Sequence, residues 1–122
     1  LPNLSDFDGI ILELNNISSP AVLADVISTA KRSGRPVVSI ANELGDFYYV
    51  GIDNYSAMKQ VIAHLHEVHD CKKFWLLVGA QDNYESSCRL QGMLDYAKEH
   101  KIKIGKDVIN IYGTGTRSFR ML

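Results

Sequence analysis

The chain has 122 residues, of which 46% are hydrophobic and 22% are charged, and its net charge is −1. This length is typical of one domain, and the composition is ordinary for a soluble globular protein. No apolar run approaches the roughly 20 residues that a membrane-spanning helix needs. Lys and Arg are scattered, which argues against a nucleic-acid surface on this segment. The two cysteines, Cys71 and Cys88, are expected to be free thiols.

The apolar pattern predicts strands that alternate with helices along the chain. Strands are expected over residues 8–12, 36–40, 48–52, 74–78 and 107–112. The helices are expected to begin after Ser19, after Asp53 or Asn54, and after the polar turn that follows the fourth strand. Strand, helix and strand with short connections are typical of parallel strands. The sequence therefore predicts an α/β fold with a doubly wound parallel sheet in three αβα layers.

The central strand and the helix before it carry the clearest burial patterns. Residues 74–78 form a solid apolar run, which predicts a strand that is buried on both faces. The helix before it has apolar residues at helical spacing. That spacing predicts one buried stripe, made of Ala57, Met58, Val61, Ile62, Leu65 and Val68.

Polar side chains follow four of the predicted strands, where each strand ends. They are Glu13, Asn15, Asn42, Glu43, Gln81, Asp82, Asn83, Tyr84, Thr114 and Thr116. Ligands of open α/β sheets bind outside the carboxyl ends of the strands. Such groups suit a polyhydroxylated ligand, and Tyr84 or Tyr112 could supply a flat apolar face for a sugar ring. The alternative is that loops are polar because Asn and Asp stabilise turns, and spacing alone favours this alternative.

Arg89 is the most specific candidate for a binding residue. It lies one or two turns into the helix that follows the central strand, and its planar charged fork can hold two ligand oxygens. Gly92, one turn further, leaves room for close approach. The alternative is a helical ion pair between Glu85 and Arg89, which stabilises by only about 0.3 kcal/mol. The residues alone do not decide between these interpretations.

The remaining motifs argue against a metal site, a nucleotide site and an enzyme. His64 and His66 point to nearly opposite sides of a helix, so they cannot share an ion, and nothing completes a zinc pattern around them and His69. Residues 113–118 resemble the start of a phosphate loop but lack its third glycine. No nucleophile elbow and no acid/base pair is visible. We therefore expect neither a metal, nor a cofactor, nor catalysis.

Several short segments together resemble the lactose-repressor (LacI/GalR) family of bacterial transcription regulators. They occur in the order and spacing of that family and cover the chain from about residue 6 to residue 113. The segments are residues 7–12, 36–40, Val50-Gly51-Ile52-Asp53-Asn54, His64-Leu65, the strand ending at Gly79, and Arg89-Leu90-Gln91-Gly92-Met93. Each segment is weak alone, but the ordered set is fairly specific.

The resemblance implies a periplasmic-binding-protein-like sensor whose two α/β lobes close on a small effector, usually a sugar, nucleobase or related metabolite. Residues 1–45 would be the later part of the first lobe, and residues 46–122 the first part of the second. Arg89 would contact the effector by position, and Asp82, Asn83, Tyr84 and Glu85 would line the cleft. The resemblance also implies a cytoplasmic homodimer that reads operator DNA through a headpiece, which this chain is expected to lack.

The chain departs from the family pattern in the first lobe. Family members often have an Asp five residues after the Pro of the second strand, where this chain has Ala41. Asn42, beside it, is the candidate replacement. Two alternatives stay open: an extracytoplasmic solute-binding protein of a sugar importer, and a sensor module fused to another signalling output. A signal peptide upstream would favour the first, and a long extension downstream would favour the second.

Overall fold

The computed structural model describes residues 1–80 and 83–105, and the backbone of residues 109–111. The chain forms two compact units, Leu1–Ile52 and Asp53–Leu122. A 3₁₀ turn at Leu4–Asp6 precedes the regular elements. These are β1 (Ile10–Glu13), α1 (Pro20–Arg32), β2 (Val37–Ile40), β3 (Tyr48–Val50), α2 (Asn54–Glu67), β4 (Leu76–Val78), α3 (Tyr84–Glu99) and β5 (Ile109–Ile111).

The first unit is a three-stranded parallel sheet with α1 packed on one face. The strand order is β1-β2-β3, and the register places Ile11 beside Val38 and Val38 beside Tyr48. Apolar side chains of β1, β2 and α1 meet between the sheet and the helix. The buried members of this core are Leu12, Leu14, Ala30 and Val37.

Local sequence signals mark both ends of α1, and its start after Ser19 is as predicted. The Ser19 hydroxyl accepts a hydrogen bond from the backbone N–H of Val22, and Pro20 occupies the first turn, where a missing N–H costs nothing. Lys31 and Arg32 lie in the last turn, where the helix dipole favours positive charge. Gly34 follows at φ +69°, a left-handed conformation that glycine adopts without steric cost.

The strand β3 belongs to the first unit. Ser39 and Ile40 of β2 pair with Tyr49 and Val50 of β3. The compact unit therefore extends to Ile52, beyond the division at residue 45 that the sequence suggested. The assignment of residues 1–45 and 46–122 to the lobes of a sensor stays a prediction.

In the second unit α2 and α3 pack together over one face of β4, and β4 pairs in parallel with β5. Its buried core consists of Ile62, Leu76, Val78, Met93, Tyr96 and Ala97. Gly92 of α3 is buried against the backbone of Tyr55 of α2. A Cβ at Gly92 would overlap the Tyr55 carbonyl oxygen and lie 3.1 Å from its carbon. The absence of a side chain at Gly92 therefore allows the two helices to approach closely.

The parallel α/β fold is confirmed, but the double burial predicted for residues 74–78 is wrong. Leu76 and Val78 are buried, whereas Trp75 and Leu77 are 61% and 59% exposed. Successive strand side chains point to opposite faces, and α2 and α3 cover only the face of Leu76 and Val78. In the first unit Ile11 is exposed for the same reason, because α1 covers the face of Leu12.

The buried stripe predicted for α2 is only partly correct. Ile62 is buried and Met58 packs against the same core. Val61, Leu65 and Val68 are exposed, because α2 turns only its Met58 and Ile62 side toward α3 and β4. No helix in the part of the chain that the structure describes has the length and apolar character needed to cross a membrane.

Candidate functional site

The Arg89 side chain is hydrogen-bonded to a buried residue and is also partly exposed to solvent. Its Nε donates a hydrogen bond to the Asn54 side-chain oxygen at 2.8 Å. Asn54 is only 8% exposed, whereas the Arg89 side chain is 44% exposed. The buried amide therefore fixes the direction of the guanidinium group, and part of that group faces solvent.

Glu85 completes a cluster with these two residues. The Asn54 side-chain N–H donates to Glu85 Oε1 at 3.3 Å, and Glu85 Oε2 lies 3.9 Å from Arg89 Nη2. The ion pair between Glu85 and Arg89, which was the purely structural alternative for Arg89, is thus present but long. Asn54 links both charged groups and holds α2 to α3 at this point. The cluster combines a rigid donor with a carboxylate acceptor.

The cluster lies where two helices begin. Asp53 caps α2 by accepting a hydrogen bond from the Ser56 N–H at 3.0 Å, and Asn83 caps α3 by accepting from the Ser86 N–H at 2.9 Å. The hydrogen bond from the Ser56 backbone lowers the pKa of Asp53, and a second bond from the Ser56 side chain lowers it further. Helix N-termini carry partial positive charge, so they favour oxygen acceptors nearby.

A ligand hydroxyl group matches this arrangement. The guanidinium group of Arg89 donates, and the carboxylate of Glu85 accepts. A hydroxyl oxygen can accept from the first and donate its proton to the second. Because Glu85 offsets the positive charge of Arg89, the cluster suits a neutral ligand better than a phosphate.

The first unit presents a different set of polar groups at its strand ends. The Asn42 side-chain N–H donates to the Asn15 side-chain oxygen at 3.1 Å, which brings together the ends of β2 and β1. The fully buried Ser39 donates its hydroxyl proton to the Asn42 carbonyl oxygen at 2.6 Å. Ala41 between them has φ +65°, and its N–H donates to the Val50 carbonyl. The candidate Asn42 is thus held in place from both its side chain and its backbone.

The structure places the predicted site residues as follows. Arg89 and Glu85 lie together on α3, Asn83 caps that helix, and Tyr84 is its first residue. Asn42 lies in the first unit, beside Asn15. Outside the described residues lie Gln81, Asp82, Tyr112, the polar residues Thr114 and Thr116, and the glycine-rich segment 113–118.

Asn54 is the residue whose role the sequence reasoning missed. It lies in the Gly51-Ile52-Asp53-Asn54 segment and was considered only as a possible helix cap, although Asp53 is the cap. The Asn at the end of that segment was the available signal. Its side chain is needed to hold Arg89, which only the packing of α2 against α3 reveals.

The histidines make contacts outside this cluster. His66 packs its ring edge against Tyr96, while His64 contacts His69. Cys71 and Cys88 are free thiols, as predicted. Among the described residues, no group of three or more His, Cys, Asp or Glu is placed to hold a metal ion.

No family model and no curated protein matches the sequence, but solved structures do. A regulatory protein of the LacI family from Chloroflexus aggregans has a TM-score of 0.69 and 25% identity; the match covers 91% of this chain and 38% of that one. A LacI-family sugar-binding transcriptional regulator from Escherichia coli, complexed with phosphate, has a TM-score of 0.71 and 21% identity, over 90% and 39% of the two chains.

A third structure carries a bound sugar. It is a periplasmic binding protein/LacI transcriptional regulator from Alkaliphilus metalliredigens complexed with D-xylulofuranose, at a TM-score of 0.60 and 18% identity, over 88% and 57% of the chains. The chain has the fold of the LacI-family effector-binding domain. The predicted LacI-like, periplasmic-binding-protein-like fold is thereby confirmed. The chain spans about two fifths of the length of the first LacI-family proteins that it matches.

Proposed function

We propose that the chain is part of the effector sensor of a LacI-type transcription regulator. The fold supports this proposal, because two of the structures described above are named as transcriptional regulators and the third as a regulatory protein of the LacI family. The geometry around Arg89 also supports it. The family resemblance assigns an effector contact to Arg89, and its guanidinium group is half-exposed and anchored from behind by Asn54.

The anchoring of Arg89 is the observation that carries the proposal. An arginine that served only as a surface ion-pair partner would not need a bond to a buried amide. Exposed ion pairs themselves stabilise by only about 0–1 kcal/mol. Here the Nε is held at 2.8 Å by a buried amide, and the carboxylate of Glu85 is 3.9 Å from Nη2. The guanidinium group is thus preoriented, and preorientation lowers the entropic cost of binding a ligand.

The effector that we propose is a small neutral sugar or related metabolite. Arg89 donates to a hydroxyl oxygen and Glu85 accepts the proton of the same or a neighbouring hydroxyl group. The strand-end residues Asp82, Asn83, Tyr84 and Asn42 stay proposed contacts from the sequence. The sugar bound to the Alkaliphilus protein supports the ligand class, while the phosphate in the Escherichia coli protein makes a phosphorylated sugar the competitor to be tested.

The proposed mechanism is a shift between two arrangements of the sensor. The effector binds one arrangement better than the other, and this preference changes the affinity of a DNA-binding headpiece for its operator. We propose a cytoplasmic homodimer with no catalytic activity, on the basis of the family resemblance. The effect on operator affinity equals the effect of operator on effector affinity, because coupling between binding sites is reciprocal.

Isothermal titration against a panel of neutral sugars, sugar phosphates and nucleobases tests the ligand class. We expect one neutral sugar or related metabolite to bind. Arg89→Ala should lose at least about 1.5 kcal/mol of binding free energy, a little over tenfold in affinity, because a charged hydrogen bond is lost. Arg89→Lys should lose nearly as much, since Lys keeps the charge but not the fork.

Arg32→Ala is the matched control, since this arginine lies in α1 of the first unit and hydrogen-bonds to Thr29 of its own helix. It should bind the effector as the parent does. Unchanged affinity in Arg89→Ala would remove Arg89 from the site. Tighter binding of a sugar phosphate than of its neutral parent sugar would contradict the proposed ligand class.

A sugar-binding receptor of an importer is the second candidate, because the Alkaliphilus protein is named both as a periplasmic binding protein and as a LacI regulator. Both functions use the same cluster around Arg89. Effector-dependent binding of the full-length protein to operator DNA would decide for the regulator. Effector binding that leaves the DNA affinity of the full-length protein unchanged would decide for the receptor.

A further inference from the structure

The turn that follows α2 brings two histidines together. α2 ends at Glu67, and the chain then reverses through Asp70, which has φ +52°. The backbone N–H of Cys71 donates to the Leu65 carbonyl at 3.0 Å, which ties the turn to the helix. As a result His69 folds back onto His64, and their Nε2 atoms lie 3.1 Å apart.

Helical spacing in the sequence does not predict this pair. Helical spacing excludes a shared ion for His64 and His66, and His69 lies beyond the end of α2, where helical spacing does not apply. The two rings meet edge to face, with centroids 4.9 Å apart and planes at 70°. Both side chains are exposed, so a dissolved ion can reach them.

The separation of the two Nε2 atoms matches that of two ligands on one metal ion. Zn–N bonds of about 2.0–2.1 Å at a tetrahedral angle place two nitrogens about 3.4 Å apart. Two neighbouring ligands of a tetragonal Cu²⁺ site, at similar bond lengths, lie about 2.9 Å apart. The observed 3.1 Å falls between these values. A single N–H···N hydrogen bond between neutral rings would also give this distance. An experiment must therefore distinguish a metal chelate from a hydrogen bond.

We propose that His64 and His69 form a two-imidazole chelate for a divalent transition-metal ion. Neutral imidazole suits Cu²⁺, Ni²⁺ and Zn²⁺, whereas Mg²⁺ and Ca²⁺ prefer oxygen ligands. Since the described residues supply no group of three metal-binding side chains, water completes the coordination. The position favours a cation further, because His64 lies in the last turn of α2, where the helix dipole is negative.

A bound ion would link α2 to the turn that follows it, because His64 lies on the helix and His69 lies in the turn. Binding to the folded chain only would stabilise it by RT ln(1 + [metal]/Kd). This site is separate from the Arg89 cluster, so its test is independent of the effector proposal. The affinity should follow Cu²⁺ above Ni²⁺ and Zn²⁺, with no binding of Mg²⁺.

Isothermal titration of the protein with Cu²⁺, Zn²⁺ and Mg²⁺ tests the proposal. We expect one equivalent of Cu²⁺ or Zn²⁺ per chain, and no binding of Mg²⁺. His64→Gln and His69→Gln should each lower the affinity by about tenfold or more, since even indirect disturbance of a metal ligand costs that much. His100→Gln, which removes one histidine outside the pair, should leave both stoichiometry and affinity unchanged.

Nitrogen-15 chemical shifts of the histidine rings provide a second readout that does not depend on stability. Zinc should shift the Nε2 signals of His64 and His69 together and leave His66 unshifted. Retention of the one-equivalent site in the double variant His64→Gln/His69→Gln would show that the metal binds elsewhere and would overturn the proposal. Absence of any Cu²⁺ or Zn²⁺ binding would overturn it as well, leaving only a hydrogen bond between the rings.

Discussion

The two units hold their polar groups in place by different means. In the first unit, Asn15 and Asn42 follow strands and are positioned by loop backbone, including the left-handed Ala41. In the second unit, Arg89 and Glu85 lie on a helix, and a residue of the neighbouring helix fixes them. The first unit presents neutral amides, whereas the second presents paired charges.

This difference teaches where substitutions will matter. Loop geometry positions the amide pair, so changes in helix packing within the first unit should leave it intact. The contact between α2 and α3 positions the charged cluster, and a chain of polar bridges follows the same contact: Tyr55 to Asp95, Lys59 to Glu99, and Tyr96 to Glu67. Any change that separates the two helices should therefore disturb Arg89.

Gly92→Ala should have the largest effect on that contact. The new Cβ would overlap the Tyr55 carbonyl oxygen, which is backbone and cannot rotate away. Overpacking should lower the free energy of unfolding by about 2 kcal/mol, even though alanine improves helix propensity by about 1 kcal/mol. Urea unfolding followed by circular dichroism measures the loss, and effector titration should show weaker binding because Arg89 moves with α3.

Gly45→Ala is the control in the first unit. A Cβ at Gly45 meets no atom within 4 Å, so stability should change by less than about 0.5 kcal/mol. Equal effects of the two substitutions would show that α2 and α3 are not packed as closely as Gly92 indicates.

Asn54→Ala should have the next largest effect. It removes the amide that bonds to Arg89 and Glu85, and it leaves two charged groups without that partner. We expect a loss of about 1.5 kcal/mol of stability, because hydrogen bonds to charged groups contribute about that amount. Effector affinity should fall too, although Asn54 is not proposed to touch the ligand. Asn15→Ala, the amide substitution in the first unit, should cost less, because its partner Asn42 carries no charge.

Sequence patterns predicted the positions of strands and helices better than the burial of side chains or the contacts around Arg89. Strand and helix positions followed from periodicity and from local signals such as the helix cap at Ser19. Burial was less predictable, because an apolar run does not say how many faces are covered: Trp75 and Leu77 are exposed. The role of Asn54 was not predicted, because it depends on a contact between two helices that joins residues 35 positions apart in sequence.

Ala41→Gly should have a smaller, stabilising effect in the first unit. Ala41 has φ +65°, a conformation that costs a non-glycine residue about 1–2 kcal/mol. Glycine removes this strain but loses about 0.5–1 kcal/mol of chain entropy, so a net gain of about 0.5 kcal/mol is expected. Thermal unfolding measures this gain. Ala57→Gly, in the interior of α2, should instead destabilise by about 1 kcal/mol.

The smallest effect concerns the pH dependence that the helix contact confers on the second unit. The Tyr55 hydroxyl donates to Asp95 at 2.7 Å, and this bond is the main cause that lowers the pKa of Asp95; a bond from Gln91 lowers it further. The same bond to Asp95 is the main cause that raises the pKa of Tyr55. Acid below about pH 4 should therefore remove the stability contributed by the Asp95 carboxylate. Alkali above about pH 10 should remove the contribution of the neutral Tyr55.

Tyr55→Phe should weaken both pH dependences at once, since one hydrogen bond causes most of each. The free energy of unfolding, measured in urea from acid to alkali, should fall less steeply below about pH 4 and above about pH 10 than in the parent chain. Tyr48→Phe, on the exposed edge strand of the first unit, should keep the parent profile. If both variants keep that profile, the bond between Tyr55 and Asp95 does not contribute to the contact of α2 with α3, and the positioning of Arg89 must rest on the other contacts between the two helices, Gly92 and Asn54 among them.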